Sequence, residues 1–154
     1  MIDCFNGKYE FLSNFFPSKI ADAHFNYPTV EHYFQAAKTL DLSLRARIAA
    51  AETPGKAKRL GRHIPLREDW EQVKIQVMEE ALRLKFEDRE LRIQLLNTGK
   101  EFLKEGNFWH DNVWGDCSCE RCKNITGQNN LGRLLMKIRN ELQIEQEFIQ
   151  NGWL

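Results

Sequence analysis

Helix-start residues followed by apolar residues at helical spacing recur from residue 29 onward, and this pattern constrains the fold more than any other feature. After Thr29, the residues Val30, Tyr33 and Phe34 follow the i, i+3, i+4 spacing of one helix face. Together the predicted helical segments make up about half of the chain. Five more helices are expected. One spans about 42–51, one begins at Thr53-Pro54 and ends near Gly61, and one begins at a capping box at Asp69 and ends near Phe86. The last two span 89–97, with Asp88 as the cap, and about Asn130 to Gln150.

The first 28 residues break this pattern, because aromatic residues there alternate with turn-forming ones. The segment 106–127 is predicted to be a long loop, and such loops inside a compact domain are usually functional or held by a metal. The predicted fold is mainly α with a small β element (α+β), a single domain over residues 1–154 with its core at about 5–140 and a helix extension to about 150. Short strands are expected near 2–5, 18–22, 24–27 and 101–105.

Composition and charge exclude several classes of protein. The chain has 22 basic and 22 acidic residues, so it lacks the basic excess of a protein that coats nucleic acid. Ten Phe and four Trp supply too much apolar surface for a disordered chain. No run approaches the ~18 apolar residues of a membrane span, and residues 1–7 lack a secretory signal pattern. We therefore expect a cytoplasmic protein with no membrane partner.

Three of the four cysteines lie in the short segment Cys117-Ser-Cys119-Glu-Arg-Cys122. Four cysteines are too few for a disulfide scaffold, and this spacing is closer to that of metal ligands. His110 is a fourth candidate, and three thiolates with one histidine form a normal structural zinc set. Two interpretations stay open, a structural zinc site or three free thiols in a loop that needs no metal.

Glu31 is a first candidate for chemistry, because it falls in the first turn of the helix predicted after Thr29. The helix dipole favours an ionised carboxylate there, and such a group acts as a general base or stabilises a developing cation. Gln35 and Lys38 follow at i+4 and i+7, so the alternative is an exposed polar stripe without a specific function.

Asp111 is a second candidate, in a loop where Trp109 and Trp114 flank it. Aromatic faces beside a carboxylate suit a planar ring bound next to a reacting sugar. The alternative is that both Trp are core residues and that Asp111 caps a turn. The segment 127–132 is a weaker candidate for an anion site at a helix N-terminus, which Asn130 as an N-cap explains equally well.

No nucleophile elbow, Rossmann motif or Walker motif occurs, but seven other motifs occur in a fixed order. They are Phe11-Leu-Ser-Asn-Phe-Phe-Pro17, Tyr27-Pro-Thr-Val-Glu-His-Tyr-Phe-Gln-Ala-Ala-Lys38, Lys58-Arg-Leu-Gly-Arg62, Asp69-Trp70, Lys85-Phe86, Asp111-Asn-Val-Trp-Gly115 and Asn130-Leu-Gly-Arg-Leu-Leu-Met136. In this order they resemble the NADAR (YbiA-like) family over about residues 5–140. The Cys-rich insert before Asn130 departs from simpler members of that family.

The resemblance implies a single-domain, mainly helical YbiA-like fold and an N-glycosidase that needs no cofactor for catalysis. The implied substrate joins a nitrogen base to a phosphorylated ribose, either a riboflavin-biosynthesis intermediate or ADP-ribose attached to guanine in nucleic acid. Its matching acids are Glu31 and Asp111. Because the sugar becomes oxocarbenium-like, we favour Asp111 as the water base and Glu31 as the cation stabiliser, although the sequence does not fix these roles.

The expected partner is thus a phosphoribosyl or ADP-ribosyl small molecule, with ADP-ribosylated nucleic acid as a second class. Two further hypotheses stay open, a non-catalytic module that binds ADP-ribose or NAD and a zinc-stabilised nucleic-acid module. The resemblance also implies residues that bind the substrate. Trp70, with Phe15 or Tyr33, would stack on the base, and Trp114 of the loop is a further candidate for ring contact. Ser13, Asn14 and Asn130 would bind the sugar or ring, and Lys38, Lys58 or Arg62 the phosphate.

Overall fold

The computed structural model describes residues 1–154 and is mainly helical, with two pairs of very short strands. This confirms the predicted fold class. No helix has both the length and the apolar character needed to cross a membrane. The helices are α1 (Val30–Ala36), α2 (Leu42–Ala49), α3 (Pro54–Gly61), α4 (Trp70–Lys85), α5 (Arg89–Asn97) and α6 (Asn130–Gln150); the strands are β1 (Ile20–Ala21), β2 (Asn26–Tyr27), β3 (Gly106–Asn107) and β4 (Asp116–Cys117); and 3-10 turns cover Gly7–Leu12 and Glu120–Cys122.

The chain divides into two compact units, which we call the central unit (residues 14–88) and the terminal unit (residues 1–13 and 89–154). The central unit contains β1, β2 and α1 to α4. The terminal unit contains α5, α6, β3, β4 and both 3-10 turns. The expected single domain over residues 1–154 stays a prediction.

Helix α1 is the central element of the central unit, because it packs against α2, α3 and α4. Val30 and Phe34 are buried on its inner face, and Phe34 packs on Trp70 of α4 with ring centroids 5.1 Å apart. The strands β1 and β2 pair antiparallel, with Ile20 opposite Tyr27. Helix α1 therefore contacts the three other helices of the central unit.

The predicted helix caps at Thr29 and Thr53 are confirmed, and the predicted capping box at Asp69 is wrong. Thr29 Oγ1 accepts the His32 N–H at 3.2 Å, and Thr53 Oγ1 accepts the Lys56 N–H at 3.1 Å. Asp69 precedes α4 as predicted, but its side chain makes no cap hydrogen bond. It pairs instead with the guanidinium of Arg67 at 2.6 and 3.0 Å, a charge-assisted bidentate contact that occupies both carboxylate oxygens.

In the terminal unit, the predicted strands near 2–5 and 101–105 are reduced to one parallel bridge between Ile2 and Leu103. The predicted loop 106–127 contains β3 and β4, which pair in parallel. The long helix α6 begins at Asn130 as predicted. However, the N-cap residue is Asn129, in a left-handed conformation with φ 51°, and not Asn130.

Thr53→Ala is expected to lower the free energy of unfolding by about 1 kcal/mol, because the first turn of α3 loses its side-chain acceptor. Asp69→Ala should lower it by clearly less, since an exposed ion pair contributes little and no cap bond is lost. Urea denaturation of both variants measures the difference. Equal losses would contradict the capping roles assigned to these residues.

Candidate active site

Glu31 lies in the first turn of α1 and is only 7% exposed. Its backbone N–H donates to the carbonyl oxygen of Asn14 at 3.1 Å, and Gln35 Nε2 donates to Glu31 Oε1 at 2.8 Å. Gln35 is buried as well, so the alternative of an exposed polar stripe is wrong. The carboxylate is thus held in one orientation, as a group that acts on a bound sugar must be.

Gly61, at the end of α3, makes room for Gln35. A Cβ atom on residue 61 would lie 1.9 Å from Gln35 Oε1, so a larger residue would displace this side chain. Gln35 Oε1 is buried without a hydrogen-bond partner, while the Nε2 atom of the same amide points at Glu31. No role was predicted for either residue. The glycine within the motif Lys58-Arg-Leu-Gly-Arg62 is the signal that could have indicated this close approach.

Lys38, one of the residues expected at phosphate, is close enough to Glu31, Lys58 and Arg62 for the charge of each to act on it. Burial lowers the pKa of Lys38, the charge of Glu31 raises it, and the charges of Arg62 and Lys58 lower it further. Charges influence a pKa in this way only over short distances, so these four groups share one region of the central unit. The region combines positive charge suited to a phosphate with a buried carboxylate suited to a sugar cation.

Asn14 is a further polar residue near Glu31, whose backbone N–H it accepts. Its Oδ1 atom is buried and accepts no hydrogen bond, while Nδ2 lies 3.5 Å from Met78 Sδ. A buried acceptor without a donor is costly, and a ligand that donates to it recovers that cost. This supports the expected contact of Asn14 with sugar or ring. Ser13 is half-buried and belongs to the terminal unit, where its backbone N–H donates to Glu10.

The aromatic residues expected against the base have different surroundings. Trp70 is 5% exposed and packs on Phe34, so its ring belongs to the core and base stacking gains no support from the structure. Tyr33 packs edge-to-face on Tyr27 and lines a cleft of about 300 Å³ whose wall does not include Glu31. Phe15 is 44% exposed and directly follows Asn14 in the chain. Of these three rings, that of Phe15 is the most accessible to a ligand.

Lys85, at the end of α4, is a buried titratable residue for which no role was predicted. It is 1% exposed, and its Nζ atom lies 5.8 Å from the ring centre of Phe16 and 5.4 Å from that of Phe86. Burial lowers its pKa from 10.5 to about 7. An amine with that pKa can gain or lose a proton near neutral pH. Its place in the Lys85-Phe86 motif is the sequence signal that pointed to it.

Asp111 lies in the terminal unit, where it caps a tight turn. Its Oδ1 atom accepts the N–H groups of Val113 at 3.1 Å and Trp114 at 2.8 Å. Asn107 holds the backbone of Asp111 from both sides, since its Nδ2 donates to Asp111 O and its Oδ1 accepts the Asp111 N–H. The turn-capping interpretation therefore accounts for Oδ1. The Oδ2 atom accepts none of these bonds, and it is the oxygen available to a water.

The structure does not favour the candidate anion site at the start of α6. The backbone N–H groups of residues 129–131 donate to the carbonyl groups of residues 113–115 at 3.0 to 3.2 Å, so these donors are already used. The Asn130 side chain also donates to Val113 O, at 2.8 Å. Its contact with a sugar stays a prediction, as does ring contact by the half-buried Trp114.

The four predicted metal ligands converge in the terminal unit. The ligand atoms of His110, Cys117, Cys119 and Cys122 all lie within 4.8 Å of one another. None of these cysteines forms a disulfide. The donor set is therefore compatible with a structural zinc ion.

Comparison with known proteins gives consistent matches. A family model described as the NADAR domain matches residues 4–143. The chain is 45% identical over 138 residues to N-glycosidase YbiA of Shigella flexneri serotype 5b (strain 8401). This match covers 88% of this chain and 82% of the relative. It is 39% identical over 136 residues to a riboflavin biosynthesis protein of Vibrio vulnificus (strain YJ016), covering 86% of this chain and 35% of that protein. The NMR structure of the E. coli protein YbiA is similar with a TM-score of 0.77 and 42% identity, covering 95% of this chain and 89% of that one.

Lys85→Met should remove a pH dependence of stability. The pKa of Lys85 is about 7 in the folded chain against 10.5 as its ordinary value, so between these values the unfolded chain binds more protons. The free energy of unfolding of the wild type should therefore increase as the pH is raised from about 7 to 10.5, by up to about 1.4 kcal/mol per pH unit. It should decrease by the same amount when the pH is lowered back to 7.

Urea denaturation at several pH values in this window compares the wild type with Lys85→Met. Lys74→Met, which removes a more exposed lysine of the same helix, is the matched control and should keep the wild-type slope. Parallel profiles for the wild type and Lys85→Met would contradict the prediction.

Proposed function

The chain belongs to the NADAR family, and from this membership we propose that it is an N-glycosidase that hydrolyses the bond between a nitrogen base and a phosphorylated ribose. The relatives support the reaction class, since several carry the name N-glycosidase and match most of this chain. The observation that carries the proposal on this chain is Glu31, a buried carboxylate oriented by Gln35 whose charge acts on Lys38, which also senses the charges of Lys58 and Arg62.

Glu31 is proposed to stabilise the sugar cation. Cleavage of an N-glycoside passes through a sugar that carries positive charge, and a nearby carboxylate lowers the energy of that state. Burial increases the effect, because less solvent screens the interaction. The hydrogen bond from Gln35 keeps the carboxylate from turning away when the charge develops.

Asp111 is proposed to activate the water. Its Oδ1 atom fixes the side chain to the turn, and Oδ2 can take a proton as the water oxygen bonds to the sugar carbon. The two carboxylates belong to different units of the chain, so each role is tested separately. Because carboxylates supply both the negative charge and the base, we propose that catalysis needs no cofactor.

Lys38, Lys58 and Arg62 are proposed to bind the phosphate of the substrate. Cationic donors hold phosphate oxygens by charge-assisted hydrogen bonds, and that binding energy positions the sugar. We propose a small phosphoribosyl compound, of the type found in riboflavin biosynthesis, as the first substrate class. The zero net charge and the riboflavin-related name of one relative favour it over ADP-ribosylated nucleic acid. The free thiols favour a reducing, cytoplasmic location.

A non-catalytic module for ADP-ribose or NAD is the alternative function. It explains the cationic residues but not Glu31, because a buried carboxylate near an anionic ligand weakens simple binding. Calorimetry with ADP-ribose separates the two functions. Tight binding without base release from any tested glycoside would favour the module.

Glu31→Gln and Asp111→Asn are each expected to lower kcat for base release by about a hundredfold or more, with the protein still folded. The assay separates the products by chromatography and identifies the base by mass spectrometry. It uses a phosphorylated aminopyrimidine intermediate of riboflavin biosynthesis and an ADP-ribosylated guanine oligonucleotide. The substrate that the wild type cleaves identifies the substrate class.

Matched controls exist for both variants. Glu71→Gln changes an exposed glutamate in the first turn of α4, so it repeats the change of charge at a helix start outside the site. Asp41→Asn changes an aspartate whose Oδ1 accepts two backbone N–H groups, as that of Asp111 does. Both controls should keep wild-type activity. Full activity of a folded Glu31→Gln or Asp111→Asn variant would remove that residue from the mechanism.

Lys58→Met and Arg62→Gln should each raise KM for a phosphorylated substrate about tenfold with a smaller change in kcat, because each removes a phosphate contact. The same substitutions should hardly change KM for the dephosphorylated compound. Arg59→Gln, which removes a neighbouring exposed cation of α3, is the control. Equal effects on both compounds would contradict the phosphate role.

A further inference from the structure

The terminal unit contains a set of converging soft ligands that the proposed reaction does not use, formed by His110, Cys117, Cys119 and Cys122. Two sulfur atoms bound to one zinc ion stand about 3.7 Å apart in a tetrahedron. The four donor atoms lie within 4.8 Å of one another, so small side-chain movements bring all four onto one ion. We propose that this set binds one structural Zn²⁺ and that the ion holds the turn carrying Asp111 in place.

Hydrogen bonds to sulfur support this assignment. The backbone N–H groups of His110 and Cys119 lie 3.3 and 3.5 Å from Cys117 Sγ, and Asn112 Nδ2 lies 3.3 Å from Cys122 Sγ. Donors placed at sulfur stabilise thiolates and orient them, as the groups surrounding metal ligands commonly do. Three free thiols in a loop would need no such donors.

His110 presents its Nδ1 atom to the thiols. That atom lies 3.1 Å from Cys119 Sγ and 3.5 Å from Cys122 Sγ, close to the nitrogen–sulfur spacing around zinc. The backbone of His110 is left-handed, with φ 68°, a conformation that is uncommon for non-glycine residues. The exposed guanidinium of Arg121 lies 3.2 Å from the other ring nitrogen and offsets the negative charge of three thiolates on one zinc.

The ion would act on Asp111 through the chain. Asp111 lies between the ligands His110 and Cys117, so a bound ion closes a short loop around it. Asn112, the next residue, receives the Cys117 N–H at 2.9 Å and donates to Cys122, which ties it to two ligands. Closing such a loop removes conformations in which the carboxylate points elsewhere.

Short secondary structure alone gives this loop little rigidity. The strands β3 and β4 contribute two residues each, and the loop between them carries Asp111. We therefore assign zinc a positioning role and not a part in the chemistry. The metal site stands on the ligand cluster, whereas its effect on activity rests on the proposed function.

The first test measures zinc in the purified full-length chain by elemental analysis. The wild type should hold about one Zn²⁺ per chain, and Cys119→Ser and Cys122→Ser should lose most of it. Cys4→Ser is the matched control, because Cys4 lies near Asn6 and outside the cluster. Wild type without zinc, or equal zinc in Cys119→Ser and Cys4→Ser, would overturn the site, as would iron in place of zinc or a disulfide found by mass spectrometry.

The second test removes zinc from the wild type with a chelator and returns it. Fluorescence of the loop residues Trp109 and Trp114 should change on removal, far-UV circular dichroism should stay the same, and both should be restored by Zn²⁺ but not by Mg²⁺. In the base-release assay, kcat should fall about tenfold or more while KM changes about twofold at most.

Each outcome of the second test decides the positioning role. Full activity of the zinc-free wild type would overturn the positioning role. So would a KM that rises by as large a factor as kcat falls, or a general loss of the helical signal. If the wild type releases no base from any substrate, the proposed function fails. Zinc content and fluorescence would still decide the metal site, because neither needs a substrate.

Discussion

The hydrogen bond from Gln35 Nε2 to Glu31 Oε1 is the interaction on which the candidate site of the central unit depends. A carboxylate taken out of water is costly unless hydrogen bonds and opposite charges compensate it. Gln35 supplies the hydrogen bond, and Lys38, with Lys58 and Arg62 near it, supplies positive charge. Because Gly61 has no side chain, α3 can approach α1 closely without displacing Gln35, and the charges of Lys58 and Arg62 act on Lys38. One glycine thus links the packing of two helices to the chemistry of the site.

In the terminal unit, side-chain amides of asparagine residues hold the loop that carries Asp111 in place. Asn107 fixes the backbone of Asp111 from two directions, and Asn112 connects the following residue to the cysteine ligands. The loop carbonyls of residues 113–115 then occupy the N–H groups at the start of α6. As a result, the turn that carries Asp111 is joined both to the metal-ligand cluster and to the longest helix of the protein. Each of these contacts is made by Asp111 itself or by a residue close to it in the chain, so losing one would alter the position of the Asp111 carboxylate.

Local signals predicted the helices well, because caps and apolar spacing act within one helical turn. The start of α1 and the bounds of α3, α5 and α6 agree with the sequence to within about a residue, and the caps at Thr29 and Thr53 are the predicted ones. The capping box at Asp69 failed because Arg67, two residues away, offered a stronger partner. The strands near 2–5 and 101–105 failed for a different reason. Pairing in a sheet depends on residues far apart in the chain, and here it extends to one bridge.

The sequence by itself determined the fold class, the family and the identity of the candidate acids and metal ligands, since each is carried by residue types at fixed spacing. The tertiary structure alone decided that Glu31 is buried, that Gln35 orients it and that Gly61 permits both, because these facts depend on how closely α3 approaches α1. It also decided that Trp70 belongs to the core and that Asp111 has one oxygen committed to a turn. Spacing along a chain indicates which side chains share a face. Only packing between distant elements determines which of them water or a substrate can reach.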